Sequence, residues 1–167
     1  MVELGVKLLR CVRGRPLGRC NMRRGPAPAG EGPREEVSSA MGATYVVSTE
    51  VHFSSSHALM GYRGDCSRMH GHNWIARVYY EFSSVDERGL TIDYRELRTV
   101  LERVILLRFD HRHLNDIPPF DTVNPTSENI AAEIFRLCRE EARIPSGALR
   151  EVELWESPTD MVRYRED

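Results

Sequence analysis

Two long stretches in which apolar and polar residues alternate constrain this 167-residue chain more than any other feature. In residues 44–57 the apolar side chains, among them Val51 and Phe53, fall at odd positions, and the even positions are mainly polar. A second alternating stretch places six residues on one face: His72, Trp74, Ala76, Val78, Tyr80 and Phe82. A period of two is the pattern of a β-strand with one solvated face. The two stretches, separated by a loop rich in Gly, Arg and Asp, therefore predict an antiparallel pair of strands.

Two helices and a further strand follow this pair. Apolar residues at spacings of three and four mark both helices: Leu97, Val100, Leu101, Val104 and Ile105 in the first, and Ile130, Ala131, Ile134, Leu137 and Cys138 in the second. Asp93 with Glu96 forms a capping pair at the first helix, and residues 125–127 open the second, which ends before Pro145. The last strand is predicted over residues 149–155. This order favours the α+β class, an antiparallel sheet with two helices on one face.

The composition excludes several classes of protein. A formal net charge of -2 lacks the basic excess of a nucleic-acid-binding chain, and apolar runs such as residues 104–107 are far too short to cross a bilayer. Four Cys without a repeating spacing do not indicate a disulfide framework, and the first residues do not form a secretory signal. We therefore expect a soluble protein of a reducing compartment, by default the cytoplasm, without nucleic-acid or membrane partners.

Residues 1–40 differ in composition from the remainder. Residues 1–30 contain six Arg and one Lys against a single acidic residue, and the stretch GPAPAGEGPR, residues 25–34, resists regular structure. A transit peptide is disfavoured, because no Ser or Thr occurs before Ser38 and no amphipathic period is sustained. We predict a disordered extension over residues 1–40 and one folded domain over residues 41–167.

Three histidines are predicted to converge. His70 and His72 are two residues apart, so on a strand both imidazoles project from the face that carries Trp74. His57 ends the preceding strand at the parity of its apolar positions, and a hairpin would bring it beside the other two. A lone His is usually a hydrogen-bonded core residue, but Gly71 between the pair allows close backbone approach. Three neutral imidazoles fit a catalytic zinc site whose fourth position stays open.

Cys66 lies four residues before His70, in a loop expected to pass over the same site. Beside a metal and basic side chains such as Arg63 and Arg68, a thiol can act as a base or nucleophile. It can equally serve as a fourth zinc ligand, which would close the site and make it structural. The spacing leaves both interpretations open.

Two further motifs carry acidic residues suited to chemistry. Asp110 beside His111 can hold one imidazole tautomer and stabilise its charged form, as a proton relay requires, although an Asp here can also merely cap the helix. Glu156 follows the last strand, where a carboxylate can accept two parallel hydrogen bonds from a ligand edge with two N–H donors. The alternative is that Glu156 is an ordinary exposed side chain without a role in ligand binding. Neither motif decides between its interpretations by itself.

Six segments occur in one order along the chain: FSSSHAL, CSRMHGH, TIDYREL, FDHRHLND, NPTSENIA and LWESPT. Together they resemble the 6-pyruvoyltetrahydropterin synthase family, and within it the branch that forms 6-carboxytetrahydropterin for queuosine and deazapurine biosynthesis. The resemblance covers about residue 41 to the C-terminus. It implies the tunnelling fold (T-fold), in which the sheets of several subunits close into a barrel with helices outside. We expect a homo-oligomer, a hexamer of two trimers, because ring closure removes the open edges of a short sheet.

The resemblance also implies three kinds of role: metal ligands, proton-transfer groups and pterin contacts. The residues are His57, His70 and His72 as ligands of Zn2+, Cys66 as the proton acceptor, Asp110 and His111 as the relay, Glu156 as the anchor of the pterin ring, and Thr126 and Glu128 as pterin contacts from a neighbouring subunit. The zinc ion would act as a Lewis acid on the substrate side chain, so no redox cofactor is required.

The substrate that the resemblance implies is 7,8-dihydroneopterin triphosphate. The carboxy branch converts it to 6-carboxy-5,6,7,8-tetrahydropterin with loss of triphosphate and acetaldehyde, which makes the chain a carbon–carbon and carbon–oxygen lyase. The three-residue gap between Cys66 and His70 favours this branch, because the animal-type pyruvoyl enzymes have a longer gap. The alternatives are a 6-pyruvoyltetrahydropterin synthase and a non-catalytic zinc- or pterin-binding homologue in which Cys66 closes the site.

Overall fold

The computed structural model describes residues 42–167, which form a five-stranded sheet and two helices. The elements are β1 (Tyr45–His57), β2 (His70–Phe82), α1 (Tyr94–Phe109), β3 (Arg112–His113), α2 (Ser127–Glu141), β4 (Ala148–Trp155) and β5 (Met161–Tyr164). Short 3-10 helices cover Asp65–Ser67 and Leu114–Asp116. The extension predicted over residues 1–40, and Met41, lie outside the described residues. Within residues 42–167 no helix has the length and apolarity needed to span a membrane.

The β1–β2 pair forms as the alternation predicts. The two strands pair antiparallel without interruption, from Tyr45 opposite Phe82 to His57 opposite His70. The odd side of β1 and the even side of β2 are buried, and the rings of Phe53 and Trp74 stack with centroids 6.1 Å apart. The hairpin therefore has one apolar face and one solvated face.

Both helices begin where the caps predict and pack on the apolar face. Asp93 accepts a hydrogen bond from the Arg95 amide at 2.7 Å, and among the described residues no bond joins it to Glu96. Thr126 caps α2 by accepting from the Asn129 amide at 3.3 Å. The apolar stripes of both helices share one core with the buried sides of β1, β2 and β4. The prediction of two helices on one face of the sheet is confirmed.

Two short strands extend the sheet beyond the predicted order. Strand β3 pairs parallel with Ser55–Ser56 of β1, and β5 pairs antiparallel with β4, which gives the order β3-β1-β2-β4-β5. The prediction that the strand ending at Trp155 is the last one is therefore wrong. A turn at residues 157–160, closed by Ser157 and Asp160, reverses the chain into β5. Strands of two and four residues contain too little alternation to be recognised in a sequence.

A row of alternating charges crosses the solvated face of the sheet. Glu50, Arg77, Glu153 and Arg163 lie opposite one another on β1, β2, β4 and β5. Glu153 is only 3% exposed and accepts hydrogen bonds from Arg77, Arg163 and, at 2.8 Å, the Tyr79 hydroxyl. Burial opposes its ionisation, but the bonds from Arg163 and Tyr79, together with the charges of Arg163 and Arg77, outweigh burial and lower the pKa of Glu153.

We expect Glu153→Gln to destabilise the fold at neutral pH by about 1–3 kcal/mol, because a neutral amide replaces the carboxylate between two arginines. The folded-state pKa of Glu153 lies below its usual value of 4.5. The contribution of the carboxylate is therefore fully present above pH 4.5 and is lost as the pH falls through the lower, folded value. Denaturant unfolding of metal-free wild type and variant measures the difference. A difference that does not shrink on acidification would contradict a contribution from charge.

Candidate metal centre

The register of β1 and β2 brings three imidazoles together at one end of the hairpin. His57 lies opposite His70, and His72 projects from the same side of the sheet. The ring centroids are 4.5 Å apart for His57 and His70, 5.1 Å for His57 and His72, and 4.9 Å for His70 and His72. The indole of Trp74 packs edge-on against His57 and His72. The cluster therefore rests on the apolar core.

Hydrogen bonds to backbone carbonyl groups orient two of the rings. Nδ1 of His57 donates to the Pro125 oxygen at 2.7 Å, and Nδ1 of His70 donates to the Arg68 oxygen at 2.8 Å. A carbonyl oxygen only accepts, so each neutral ring carries its proton on Nδ1 and presents an unprotonated Nε2. The two Nε2 atoms lie 3.1 Å apart. Two acceptors at this distance repel each other unless a proton or another cation lies between them.

Glu156 joins the cluster from the end of β4. Its Oε1 lies 3.1 Å from Nε2 of His72 and 3.4 Å from Nε2 of His57. Its Oε2 accepts a hydrogen bond from the hydroxyl of Ser127, the first residue of α2, at 2.8 Å. Nε2 of His72 is buried and, within residues 42–167, has no hydrogen bond of good geometry. One donor atom from each of four residues, His57, His70, His72 and Glu156, lies within 4.8 Å of the others.

Three of these separations are close to those between the ligands of a tetrahedral metal ion. Atoms about 2.0–2.1 Å from a zinc ion at tetrahedral angles lie about 3.3 Å from one another. The nearest Nε2 and Oε1 atoms of the cluster are 3.1, 3.1 and 3.4 Å apart. Three imidazole nitrogens and a carboxylate also form a donor set suited to zinc. The four residues could therefore hold a metal ion.

Burial keeps two of the imidazoles neutral. Desolvation is the largest influence on His57 and His72 and lowers the pKa of both below the usual 6.5, although Pro125 and Glu156 act in the opposite direction. A neutral imidazole offers a free lone pair, whereas a protonated one does not. The fold therefore favours the protonation state that binds a metal.

Cys66 lies in the 3-10 helix of the β1–β2 loop as a half-buried free thiol. Its carbonyl oxygen accepts a hydrogen bond from the Leu59 amide at 2.8 Å, which closes the loop just beyond the end of β1. Its sulfur is not among the four clustered donor atoms, and Glu156 occupies the fourth place beside the histidines. A zinc site closed by Cys66 finds no support in this geometry.

Asp110 and His111 lie at the outer edge of β1, beside Ser54. Asp110 Oδ1 accepts from the Ser54 amide at 2.9 Å, and its Oδ2 lies 2.8 Å from Nδ1 of His111. The bonds from Ser54 and His111 lower the pKa of Asp110 and so keep it ionised. The carboxylate can thus fix the tautomer of His111. The His111 side chain is 83% exposed, however, and neither residue belongs to the candidate metal-binding cluster of its own chain.

The N-terminus of α2 borders the cluster. Thr126 is the cap residue and Glu128 is exposed in the first turn, on either side of Ser127. Ser127 and the Pro125 carbonyl contact the cluster directly, although the sequence pattern predicts only that residues 125–127 open α2. A Ser directly after a helix cap can be recognised in the sequence. The direction of a backbone carbonyl group cannot, because it does not depend on the residue type.

Comparisons with known proteins relate the chain to one family. The sequence model of the family described as 6-pyruvoyl tetrahydropterin synthase matches residues 46–167. The chain is similar to 6-carboxy-5,6,7,8-tetrahydropterin synthase of Synechocystis sp., with 35% identity over 124 residues, which cover 72% of this chain and 92% of that protein. It is also similar to 6-pyruvoyl tetrahydrobiopterin synthase of Homo sapiens, with 28% identity over 132 residues, which cover 71% and 90% respectively.

A solved structure shows the same fold. The 6-pyruvoyl tetrahydropterin synthase of Caenorhabditis elegans superposes with a TM-score of 0.64 and 26% identity, covering 75% of this chain and 97% of that one. The T-fold expected from the sequence is therefore confirmed for the described residues. By both the sequence match and the fold, the chain belongs to the 6-pyruvoyl tetrahydropterin synthase family.

Proposed function

We propose that this protein is a zinc-dependent 6-carboxy-5,6,7,8-tetrahydropterin synthase, which converts 7,8-dihydroneopterin triphosphate to the carboxylated tetrahydropterin, acetaldehyde and triphosphate. The observation that carries the proposal is the convergence of His57, His70 and His72 with their Nε2 atoms turned toward one point. The carboxy branch is supported by the name of the Synechocystis relative and by the three-residue gap between Cys66 and His70. Queuosine and deazapurine biosynthesis is the context in which this product would be used.

The three histidines would hold the zinc ion as neutral ligands. When bound, zinc supplies Lewis acidity that polarises hydroxyl and carbonyl groups of the substrate side chain and acidifies the neighbouring C–H bonds. The chain contributes the orientation of the ligands, through the Pro125 and Arg68 carbonyl groups. The packing of Trp74 against two of the rings keeps water from one side of the cluster.

Proton transfer would fall to Cys66 and to the Asp110–His111 pair. Cys66 would take up the proton released from the substrate side chain, and His111, held by Asp110, would exchange protons with the reacting groups. The Asp110–His111 pair lies at the outer edge of β1, and neither residue is among the four clustered donors of its own chain. A homo-oligomer, with a hexamer as the expected assembly, would bring His111 of one copy to the cluster of another. Thr126 and Glu128 would contact the pterin from a neighbouring copy.

Glu156 would anchor the pterin ring. A carboxylate can accept two N–H donors from one edge of a pterin, and this pairing would select the substrate class. Ser127 donates to Oε2 and would hold the carboxylate in place. Oε1 also lies beside the histidines, so Glu156 could bind the metal as well as the pterin. The two roles predict different effects of a substitution on zinc content and on pterin affinity.

A 6-pyruvoyl tetrahydropterin synthase is the second candidate. It is favoured by the names of the family model and of the human and Caenorhabditis elegans proteins. Both reactions begin from the same triphosphate and use the same metal ligands, so only the product separates them.

Incubation of the zinc-loaded protein with 7,8-dihydroneopterin triphosphate should release acetaldehyde and leave a carboxylated tetrahydropterin, identified by mass spectrometry. The pyruvoyl product without acetaldehyde would overturn the assignment to the carboxy branch and leave the metal-site assignment intact.

Cys66→Ala should retain zinc and lose turnover by about 100-fold or more, because it removes the proton acceptor. Loss of zinc from Cys66→Ala would instead identify the thiol as a metal ligand and the site as structural.

Glu156→Gln should weaken the binding of a pterin ligand to the zinc-loaded protein by about 1–3 kcal/mol, because a donor replaces one acceptor in a buried contact. Calorimetry gives the pterin affinity, and elemental analysis gives the zinc content. Ser127→Ala is the matched control: it removes the hydroxyl that supports Glu156, retains the carboxylate and should have a smaller effect. Unchanged pterin affinity together with lost zinc would show that Glu156 is a metal ligand rather than the anchor.

The purified protein should bind one zinc ion per chain, and His72→Ala should lose it, because two imidazoles leave the set of nitrogen ligands incomplete. His52→Ala is the matched control, since His52 lies on the solvated side of the same hairpin, where its 65% exposed side chain contacts Glu50. Elemental analysis of both variants checks the prediction. Full zinc occupancy in His72→Ala, at unchanged affinity, would contradict the ligand assignment.

A further inference from the structure

The chain between His57 and Cys66 is held by two asparagine side chains. Asn115 Oδ1 accepts from the Ala58 amide at 2.9 Å, and its Nδ2 donates to the Ala58 carbonyl at 2.9 Å. Asn124 contacts Met60 in the same way, with Oδ1 accepting from the amide at 2.6 Å and Nδ2 donating to the carbonyl at 2.9 Å. Each side-chain amide thus satisfies both backbone groups of one residue. We call these two contacts the asparagine clamps.

The clamps continue the strand pattern of β1 beyond its end. In extended backbone the amide and carbonyl groups of successive residues point to opposite edges, so those of every second residue share one edge. Ala58 and Met60 are bound on the edge that faces the clamps, and the intervening Leu59 donates its amide to the Cys66 carbonyl at 2.8 Å. The position of the Cys66 backbone is therefore coupled, through Leu59, to both clamps.

Each clamp is anchored in ordered structure. Asn115 lies in the 3-10 helix Leu114–Asp116, whose Leu114 is fully buried. The Asn124 carbonyl accepts from the Asn129 side chain in the first turn of α2, at 2.9 Å. The residue after Asn124 is Pro125, whose carbonyl orients His57. One connection of the chain thus fixes both a candidate metal ligand and the loop that carries the thiol.

We propose that Asn115 and Asn124 are positioning residues that place the Cys66 thiol for proton uptake. This inference rests on the proposed function. Neither side chain belongs to the metal-binding cluster, so their contribution acts through the backbone of residues 58–60. Misplacement of a reacting group by about 1 Å can cost about 100-fold in rate, and a loop released from its clamp permits such a displacement.

Asn124→Ala tests the proposal in the zinc-loaded full chain. We expect kcat to fall about 10- to 100-fold while KM changes less than about twofold, because thiol placement and not substrate binding is altered. Zinc content should stay at the wild-type level.

Alkylation of Cys66 by iodoacetamide, measured by mass spectrometry on the peptide that contains Cys66, should accelerate at least about threefold. Hydrogen exchange should increase within residues 58–66. In a Cys66→Ser background the same substitution should change the residual rate less than about twofold, because the two residues act as a unit.

Thr122→Ala is the matched control, since Thr122 lies in the same connection and, among the residues that the structure describes, bonds only to the Pro119 carbonyl within its own turn. It should leave kcat, Cys66 alkylation and zinc content unchanged. Asn115→Ala releases the other clamp and replaces Asn124→Ala if that variant does not fold. A kcat within about twofold of wild type, or a loss of activity that parallels a loss of zinc, would overturn the proposal. A wild type without turnover refutes the proposed function instead, and unchanged alkylation and exchange in Asn124→Ala would then refute the clamps independently.

Discussion

The antiparallel register of β1 and β2 is the constraint on which the rest of the structure depends. Successive side chains alternate between faces, so a shift of one residue would turn His72 and Trp74 to the solvated face. Thirteen consecutive pairs, from Tyr45 with Phe82 to His57 with His70, fix the register. The core that buries Phe53 and Trp74 also desolvates the imidazoles at its end and so keeps them neutral. Folding stability and metal-binding chemistry therefore have the same physical origin.

The strands place the candidate ligands, and the connection before α2, together with the first residue of α2, orients His57 and Glu156. Pro125 fixes the proton of His57 on Nδ1, Ser127 holds Glu156, and Asn124 holds the segment that leads to Cys66. These are neutral hydrogen-bonding groups around a cluster of potential ligands, an arrangement that tunes ligand geometry without adding charge. A substitution in this connection should therefore affect the site while leaving the sheet register unchanged.

The sequence was most informative where one rule of local geometry sufficed. Strand parity and a hairpin were enough to bring His57, His70 and His72 to one face. The approach of Glu156 was not predictable in this way, because it requires the pairing of β4 with β2 and the turn that follows Trp155. Strand β3 escaped detection because its pairing with β1 depends on contacts far apart in sequence. The contacts that orient His57 and His70 use backbone carbonyl groups, which every residue type possesses.

The backbone of His111 explains why its side chain faces outward. Its φ of 55° lies in the left-handed region, which costs a non-glycine residue about 1 kcal/mol or more. The Ser54 carbonyl accepts the His111 amide at 2.7 Å and Asp110 binds the ring, so local contacts maintain this conformation. Beside it lies β3, a strand of two residues at the end of the sheet order. On the proposed function, an oligomer that closes this edge against a second copy would place the imidazole beside that copy's cluster. The left-handed backbone at His111 would then present a proton relay to the neighbouring copy.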